Sequence, residues 1–433
     1  MKPVKVNNID PKIIIAAEPL VNGAGLSMFL LDSLALFAQT RPDWQFTLLV
    51  LSAFSDASNL EQYPNVKVSF CDRLGWRGAL SHILPAFRGR ERIFNLLADK
   101  APGTFLKKQF GNLGQVWEGL GHYDAVWVPH FGISQNRWPA LYKPGTVKSP
   151  VLLTIHDLHT AVFPEEWKPY PEIVDNFWKI FCPFAQKTAA IITHSNFQKD
   201  AIVKYFNIPS HNISVAYLPL PLNELLTKDY SRQVVRETLD EFGIVEPYIF
   251  CPMSQISEHK NHTRTIEAWA AVKKQLKDKT PKLVFTASGN PADQRRFREL
   301  IEKLELPGKV SFTGTVSREK LAVLYRSCQA LLSPTLYEGG GSGPVMEAVM
   351  AGKPVICSRI PPIEEQMGQF GLSAIYFDPY KPEDIARAVL NMVSNKEPVP
   401  QNNLEAIKLR LPKDRESLAR TYIDSFSRIM GNK

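Results

Sequence analysis

The segment between Ser333 and Ser358 constrains the fold of this chain more than any other. It begins at the end of a short apolar run, Gln329–Pro334, whose terminal proline is a breaker, so the run predicts a buried strand. A cluster of glycines follows, and then Pro344, which suits the first position of a helix because it has no amide hydrogen to leave unpaired. Lys353–Cys357 restarts a strand. This order of strand, glycine loop, helix and strand indicates a parallel α/β sheet.

The loop between this strand and the helix predicts a ligand site. Free backbone amides and the positive end of the helix dipole meet where glycines open a helix, and both favour an anion or a polyhydroxyl group. Two carboxylates, Glu338 and Glu347, flank the loop. The loop residues are Gly339, Gly340, Gly341, Ser342 and Gly343. A plain connection is an open alternative, and Glu347, which we place on the first helical turn, could simply offset the dipole.

Strands and helices alternate along the whole chain, which predicts doubly wound parallel sheets. The predicted strands are Lys12–Ala17, Gln45–Leu51, Val66–Cys71, Ala125–Val128, Pro150–Ile155, Ala189–His194, Ile213–Ala216, Tyr248–Cys251, Lys282–Ala287, Val310–Thr313, Ala330–Ser333, Pro354–Cys357 and Ala374–Phe377. Helices are predicted over Leu26–Gln39, around Asp175–Lys187 and over Asp414–Met430. Sheets of this kind bind ligands at the carboxyl ends of their strands.

The length of 433 residues exceeds one ordinary core and predicts two domains. We place the first domain at residues 1–222, the second at 237–412 and a terminal helix at 413–433. The stretch from Pro219 to Arg236 is typical of a linker.

Composition narrows the class of protein. Hydrophobic residues at 44% and charged residues at 22% are typical of a soluble globular protein, and no apolar run reaches the roughly 18–20 residues of a membrane span. The N-terminus leads to a strand and not to a signal-peptide core, so we expect a cytoplasmic protein. The five scattered cysteines argue against a disulfide framework, and none has the spacing of a metal site. The net charge of +8 suits nucleotides or anionic lipids, whereas nucleic acid is disfavoured because no nucleic-acid-binding motif is present.

Other positions outside the glycine loop are candidates for binding or catalysis. Lys260 follows the predicted strand Tyr248–Cys251 and precedes a helix that we predict to run to Lys274. This position suits a diphosphate, although a solvent-facing lysine fits the residues equally well. His156 stands at the end of a predicted strand, where a histidine can face a cleft. Gly23 and Gly25 precede the first helix, and a ligand could approach their backbone closely.

The glycine-loop segment resembles the donor-sugar site of the retaining glycosyltransferases of family 4, which have the GT-B fold. The matching residues are Pro334, Glu338, Gly339, Pro344, Glu347, Ala348, Gly352, Pro354, Val355 and Ile356. The order of elements is similar to that of the family from about Lys12 to Met430. The resemblance implies two Rossmann-like domains that face a cleft, with the terminal helix crossing back to the first domain. The loop between Glu338 and Glu347 is one residue longer than in the family.

The resemblance also implies roles for individual residues. His156 would face the donor sugar, Lys260 would neutralise the diphosphate and Glu338 would hold the sugar, and we class these three as catalytic. The donor-binding residues would be Gly23, Gly25, Gln255, Lys260, Gly339, Gly340, Gly341, Ser342, Gly343 and Glu347. Glu347 would bind the ribose hydroxyls, and Gln255 stands where the family has an arginine. The family works without a bound metal, so neither metal nor cofactor is expected.

The function that the resemblance implies is transfer of a hexose, most simply mannose, from a nucleotide-diphosphate sugar with retention at the anomeric carbon. The donor would be GDP-mannose or a UDP-hexose, and the run His259–His262 resembles family members that use guanosine diphosphate sugars. The acceptor would be a glycan or a lipid-linked sugar in polysaccharide or glycolipid synthesis. Two alternatives stay open, namely a nucleotide-sugar epimerase or hydrolase of the same fold and a nucleotide-sugar-binding protein without turnover.

The region from Arg73 to Lys108 interleaves basic residues with aromatic and leucine side chains. This pattern suits an anionic lipid surface, and we expect the region to dock the protein on the inner membrane face. A pair of helices packed on the first sheet with a solvated basic face is the alternative.

Overall fold

A computed structural model describes residues 10–17, 25–50, 55–70, 122–130, 148–221, 223–253, 256–287, 289–394 and 400–431. In these stretches the chain forms two sheets, one of seven strands and one of six, with helices around them. The predicted α/β architecture of two doubly wound sheets is therefore confirmed.

The first sheet is built from the first half of the chain. Its strands are β1 (Lys12–Ala16), β2 (Gln45–Val50), β3 (Val66–Phe70), β4 (Ala125–Val128), β5 (Val151–Thr154), β6 (Ala190–Thr193) and β7 (Ile213–Val215). They lie in the order β3-β2-β1-β4-β5-β6-β7, and every pairing is parallel. All residues of β4, β5 and β6 are buried, as expected for apolar strands covered by helices on both faces.

Helices of the first half cover this sheet. They are α1 (Gly25–Thr40), α2 (His159–Val162), α3 (Pro171–Asn176), α4 (Cys182–Gln186) and α5 (Asn196–Phe206). The single helix predicted around Asp175–Lys187 is divided in the structure, because a π-helical turn, Phe177–Phe181, separates α3 from α4. Pro183 in α4 has no amide hydrogen to donate to the preceding turn, which accounts for the break in the regular ladder.

The second sheet follows the same plan. Its strands are β8 (Tyr248–Cys251), β9 (Lys282–Phe285), β10 (Val310–Phe312), β11 (Ala330–Ser333), β12 (Val355–Ser358) and β13 (Ile375–Phe377). They lie in the order β10-β9-β8-β11-β12-β13, again with parallel pairings. The central strands β8 and β11 therefore present their carboxyl ends side by side.

Helices also surround this second sheet. They are α6 (Glu224–Thr227), α7 (Arg232–Glu241), α8 (His262–Leu276), α9 (Pro291–Lys303), α10 (Arg318–Ser327), α11 (Gly343–Met350), α12 (Pro361–Gln369), α13 (Pro382–Val393) and α14 (Leu404–Gly431). Short 3₁₀ turns occur at Ser55–Gln62, Pro164–Trp167, Ser210–Asn212, Glu258–Lys260 and Lys277–Lys279. The stretch that we predicted as a linker contains α6 and the start of α7, and Leu226 of α6 is buried in the second core.

The terminal helix α14 connects the two cores. Its first part contributes Ile407 and Leu411 to the core of the second sheet. Its last part packs Tyr422 and Phe426 into the core of the first sheet, and the Tyr422 hydroxyl lies 3.0 Å from Oγ1 of Thr154. The predicted crossing of this helix back to the first domain is confirmed, although the helix is longer than predicted because it continues through Pro412.

Among the helices of the described residues, none has both the length and the apolar character that a bilayer crossing requires.

Candidate active site

The carboxyl ends of strands from both sheets meet at a contact between the domains. Ser195 follows β6 and caps α5, because its hydroxyl accepts a hydrogen bond from the Gln198 amide at 2.9 Å. The same hydroxyl donates to the carbonyl oxygen of Gly339 in the second domain. The Tyr337 hydroxyl accepts from the Leu158 amide at 2.9 Å and donates to Oε1 of Gln198 at 2.9 Å. This is the edge where open parallel sheets bind their ligands.

Two glycines of the loop are required by this contact. A Cβ on Gly339 would overlap the carbonyl oxygen of His156 and stand 2.8 Å from Cα of Asp157. A Cβ on Gly340 would collide with the His194 side chain, whose Cγ would be 3.3 Å away. The absence of side chains at both positions therefore allows the second domain to pack directly on the loops that follow β5 and β6.

The rest of the loop turns into α11 as predicted. Gly341 has φ of +97°, a conformation that residues with a side chain rarely adopt. The next amide, that of Ser342, donates to Oε1 of Gln366 at 2.8 Å. Helix α11 then begins at Gly343 with Pro344 in its first turn. The Ser342 amide is thus bound within the protein and is not free for a ligand in this state.

Lys260 and Glu338, which the sequence placed at the diphosphate and the sugar, form an ion pair. Lys260 Nζ lies 2.9 Å from Oε1 of Glu338, and the two side chains are 21% and 20% exposed. Lys260 ends a 3₁₀ turn just before α8, where Asn261 has a left-handed φ of 61°. The Asn261 side chain does not cap the helix but donates to the carbonyl oxygens of Pro334 and Pro379. A diphosphate that binds Lys260 would therefore compete with Glu338.

Glu347 lies in the middle of α11. The first turn of this helix contains no acidic residue, so our placement of Glu347 on that turn was wrong. Burial raises the pKa of Glu347 above its ordinary range, although the hydroxyl of Tyr325, which donates to Oε2 at 2.5 Å, works in the opposite direction. A half-buried carboxylate held by a phenol is a defined hydrogen-bond acceptor, and an offset of the helix dipole no longer accounts for it.

His156 is paired with a second histidine, His194, which was not among the site residues predicted from the sequence. Nε2 of His156 lies 2.8 Å from the Pro129 carbonyl oxygen, and Nδ1 of His194 lies 2.8 Å from that of Ala216. The facing nitrogens, Nδ1 of His156 and Nε2 of His194, are 3.0 Å apart. Phe29 of α1 packs edge-on against both rings. Both histidines follow predicted strands, and these strands are neighbours in the sheet, so the same sequence pattern that selected His156 could have selected His194.

The two histidines carry fewer N–H groups than their three hydrogen-bond contacts require. Each outer nitrogen faces a carbonyl oxygen and must donate, and the contact between the rings needs a third N–H group. Burial lowers the pKa of His156 well below its ordinary value and that of His194 to about 4. Two neutral rings carry only two N–H groups at neutral pH, so one of the three contacts lacks its hydrogen. At neutral pH the pair is therefore uncharged, and each of its four ring nitrogens already faces a partner.

A carboxylate from the second domain also closes this contact. Glu365 of α12 accepts from the Asn196 amide at 2.6 Å and from the Phe197 amide at 3.1 Å, at the N-terminus of α5. The Tyr217 hydroxyl donates to the same carboxylate at 2.7 Å. An anion at a helix N-terminus is stabilised by the free amides and the helix dipole, so this contact favours the closed arrangement of the domains.

Several predicted positions cannot be compared with the structure. Gly23, Gln255 and the region from Arg73 to Lys108 lie outside the described residues. Gly25 is the first residue of α1. The structure brings together His156, Lys260, Glu338 and the glycine loop at one edge of the domain contact, and their roles toward a donor remain predictions.

The chain is similar in sequence to known glycosyltransferases. Residues 236–409 match the family described as Glycosyl transferases group 1. O-antigen chain mannosyltransferase B of Escherichia coli is 23% identical over 393 residues, which cover 89% of this chain and 91% of that protein. O-antigen chain mannosyltransferase RfbU of Salmonella typhimurium is 25% identical over 65% of this chain and 68% of its own length. The serotype-specific mannosyltransferase WbdA of Escherichia coli is 24% identical, and the match spans 33% of its length.

Solved structures share the fold at low sequence identity. Anabaena Alr3699/HepE in complex with UDP superposes with a TM-score of 0.62 at 15% identity, covering 96% of this chain and 100% of that one. An alpha,alpha-trehalose-phosphate synthase from Burkholderia vietnamiensis gives 0.64 at 12% identity, covering 98% and 100%. The matched segment, the mannosyltransferase relatives and the two-sheet architecture together support a glycosyltransferase of the GT-B fold.

Proposed function

We propose that this protein is a retaining mannosyltransferase of family 4 that moves mannose from a nucleotide-diphosphate sugar to a glycan or lipid-linked acceptor. The relatives support mannose as the transferred sugar, since three of them are named as mannosyltransferases and two of those are named as O-antigen chain mannosyltransferases. GDP-mannose is the favoured donor and a UDP-hexose the alternative. Synthesis of a polysaccharide or glycolipid, in the cytoplasm or at the inner membrane face, is the corresponding biological setting.

The ion pair of Lys260 and Glu338 is the observation that carries this proposal. It joins a cation in the segment that follows β8 to a carboxylate in the loop that follows β11, 2.9 Å apart, beside the glycine loop. Both side chains are largely desolvated, so an incoming diphosphate would meet a charge that is positioned in advance. Once Lys260 binds the diphosphate, Glu338 becomes free to accept hydrogen bonds from sugar hydroxyls.

The chemistry that we propose needs no nucleophilic side chain. The acceptor hydroxyl attacks the anomeric carbon from the face that the diphosphate leaves. The bond from that carbon to the phosphate oxygen breaks while the new glycosidic bond forms, and the acceptor proton passes to the departing phosphate oxygen. Lys260 and backbone amides stabilise the developing negative charge, which is where enzymes obtain much of their rate enhancement. Glu347 binds the ribose hydroxyls, and His156 faces the donor sugar.

The first experiment identifies the donor. Thermal unfolding of the purified protein is measured with GDP-mannose, UDP-glucose and UDP-N-acetylglucosamine at equal concentrations. A donor at a hundredfold excess over its Kd adds about 2.7 kcal/mol to the stability of the folded state, so the correct donor raises the melting temperature and the others do not. A larger effect of either UDP-sugar would contradict the GDP-mannose assignment.

The second experiment identifies the reaction. NMR of the products with donor alone and with acceptor glycans reports the fate of the anomeric carbon. A glycoside with the anomeric configuration of the donor supports the proposal. An inverted glycoside would indicate an inverting transferase, and a free sugar alone would indicate a hydrolase. An epimerised nucleotide-sugar would indicate an epimerase, and donor binding without turnover would indicate a binding protein. Each of these results would overturn the proposal.

A further inference from the structure

A second cluster of ionisable side chains lies at the domain contact, beside Lys260. His159 begins α2, and Glu166 lies in the 3₁₀ turn Pro164–Trp167, so both belong to the first domain. His259 lies in the turn Glu258–Lys260 of the second domain. One nitrogen or oxygen from each of the three side chains lies within 4.8 Å of the other two.

The distances in this cluster fit a tetrahedral metal ion. Nε2 of His159 and Nδ1 of His259 each lie 3.2 Å from Oε2 of Glu166. In a tetrahedral zinc site with metal–ligand distances of about 2.0–2.1 Å, neighbouring ligand atoms are about 3.3 Å apart. Two of the three separations therefore already have the value that such a site needs.

One nitrogen of the cluster is buried without a partner. Nε2 of His159 makes no hydrogen bond to any of the described residues, although it lies 3.2 Å from Oε2 of Glu166. An unsatisfied buried polar atom costs about 1–3 kcal/mol. A metal ion between the rings and the carboxylate would use this lone pair.

Neighbouring groups hold two of the ligands in place. The amide of His259 donates to Oε1 of Glu166 at 2.6 Å, which leaves Oε2 directed at the two imidazoles. The carbonyl oxygen of His259 accepts from the Leu336 amide at 2.7 Å. Oriented ligands of this kind are typical of metal sites. Nδ1 of His259 has two hydrogen-bond partners, Oγ of Ser257 at 3.0 Å and Oε2 of Glu166 at 3.2 Å, and a metal ion would replace both contacts.

We propose that His159, Glu166 and His259 bind a divalent transition-metal ion of the zinc class, with a water in the fourth position, and that the ion ties the two domains together. Two imidazoles and one carboxylate suit zinc and its neighbours, whereas magnesium and calcium prefer oxygen ligands throughout. The ion would not take part in sugar transfer. The proposal therefore does not depend on the reaction proposed above.

The test uses untagged full-length protein that has been stripped with a chelator. Zn²⁺ binding is measured by equilibrium dialysis with elemental analysis, and Co²⁺ is added as a visible spectroscopic probe of a four-coordinate site. We expect one equivalent per chain. Glu166→Gln and His159→Ala should weaken Zn²⁺ binding by more than the roughly 10–100-fold that the loss of an outer-shell partner costs. His211→Ala, which removes an exposed histidine of the first domain, should bind like the wild type.

Further measurements distinguish loss of the metal site from loss of folding. Circular dichroism of each stripped variant shows whether it is folded, and Ser257→Ala, which removes only the competing hydroxyl, should keep one equivalent of Zn²⁺. Zn²⁺ should also raise the melting temperature of the wild type but not of Glu166→Gln. Less than one equivalent in the wild type, equal binding by Glu166→Gln, or equal losses in His211→Ala would overturn the proposal.

Discussion

Replacing Gly339 by alanine should open the contact between the two domains. The new Cβ would overlap the carbonyl oxygen of His156 and stand 2.8 Å from Cα of Asp157. Favourable contacts between carbon atoms lie at about 3.5–4.0 Å. Since both neighbours are backbone atoms, no change of rotamer relieves the overlap, and one domain must move away from the other by about 1 Å.

This movement has an energetic and a kinetic consequence. It breaks the hydrogen bond from Ser195 to the Gly339 carbonyl and strains those that Tyr337 makes with Leu158 and Gln198. At about 0.5–1.5 kcal/mol each, the three bonds together stabilise the contact by about 1.5–4.5 kcal/mol. A displacement of about 1 Å between catalytic groups lowers the rate about 10²-fold.

The control is Gly368→Ala, since a Cβ at this exposed position of α12 would meet no atom within 4 Å. The assays are kcat/KM for sugar transfer and the radius of gyration from small-angle X-ray scattering. We expect Gly339→Ala to lose about 10²-fold in rate and to become more extended, while Gly368→Ala matches the wild type in both. If Gly339→Ala keeps the rate and the dimensions of the control, the domain contact does not have the role that we assign to it.

Lys260→Ala should lower turnover roughly 10²-fold or more, because it removes a preorganised charge at the leaving group; the exposed Lys204→Ala is its control, and equal rates would refute the diphosphate assignment. Glu347→Gln should weaken donor binding without unfolding the protein, as measured by calorimetry, because a charge-assisted acceptor is lost; unchanged affinity would contradict the ribose contact. Burial lowers the pKa of His194 from 6.5 to about 4. As the pH falls, His194 is therefore protonated in the unfolded chain before it is protonated in the folded one. The stability that depends on the neutral ring is present above pH 6.5 and is lost as the pH falls toward 4. Between about pH 7.5 and 5.5, urea unfolding of the wild type should lose about 1.4 kcal/mol that His194→Gln does not lose, and equal losses would count against the buried neutral ring. The protein should sediment with anionic but not with neutral liposomes at low salt, because we expect the region Arg73–Lys108 to bind anionic lipid. Equal partition to both kinds of liposome would contradict this membrane role.

The sheets could be predicted because buried parallel strands have a simple local signature. Every predicted strand is present, and its ends differ from the structure by at most two residues. Runs such as Ala125–Val128 and Tyr248–Cys251 are apolar throughout, as strands covered on both faces must be. Irregular backbone was predicted less well, because Pro183 marks where a helix can break but does not specify the π-helical turn that precedes it.

The side-chain clusters between the domains were not predictable in the same way. His159 and Glu166 are separated from His259 by almost a hundred residues, so no local spacing marks them as a set. Motif rules for metal sites rely on ligands that are close in sequence, so they could not select these three residues. His194 was easier to predict, because the strand that precedes it is the neighbour of the strand that precedes His156.

The glycine loop is a motif with two possible structural explanations that the sequence alone does not distinguish. A run of glycines before a helix predicts close approach of a ligand, and the same absence of side chains allows close approach of another domain. In the structure, Gly339 and Gly340 are required by the loops after β5 and β6, and the Ser342 amide is bound to Gln366. A donor that used these groups would have to bind while the domains are apart or shift the loop. Donor binding and domain closure should therefore be coupled through this loop, and a donor analogue should change the radius of gyration of the wild type but not that of Gly339→Ala.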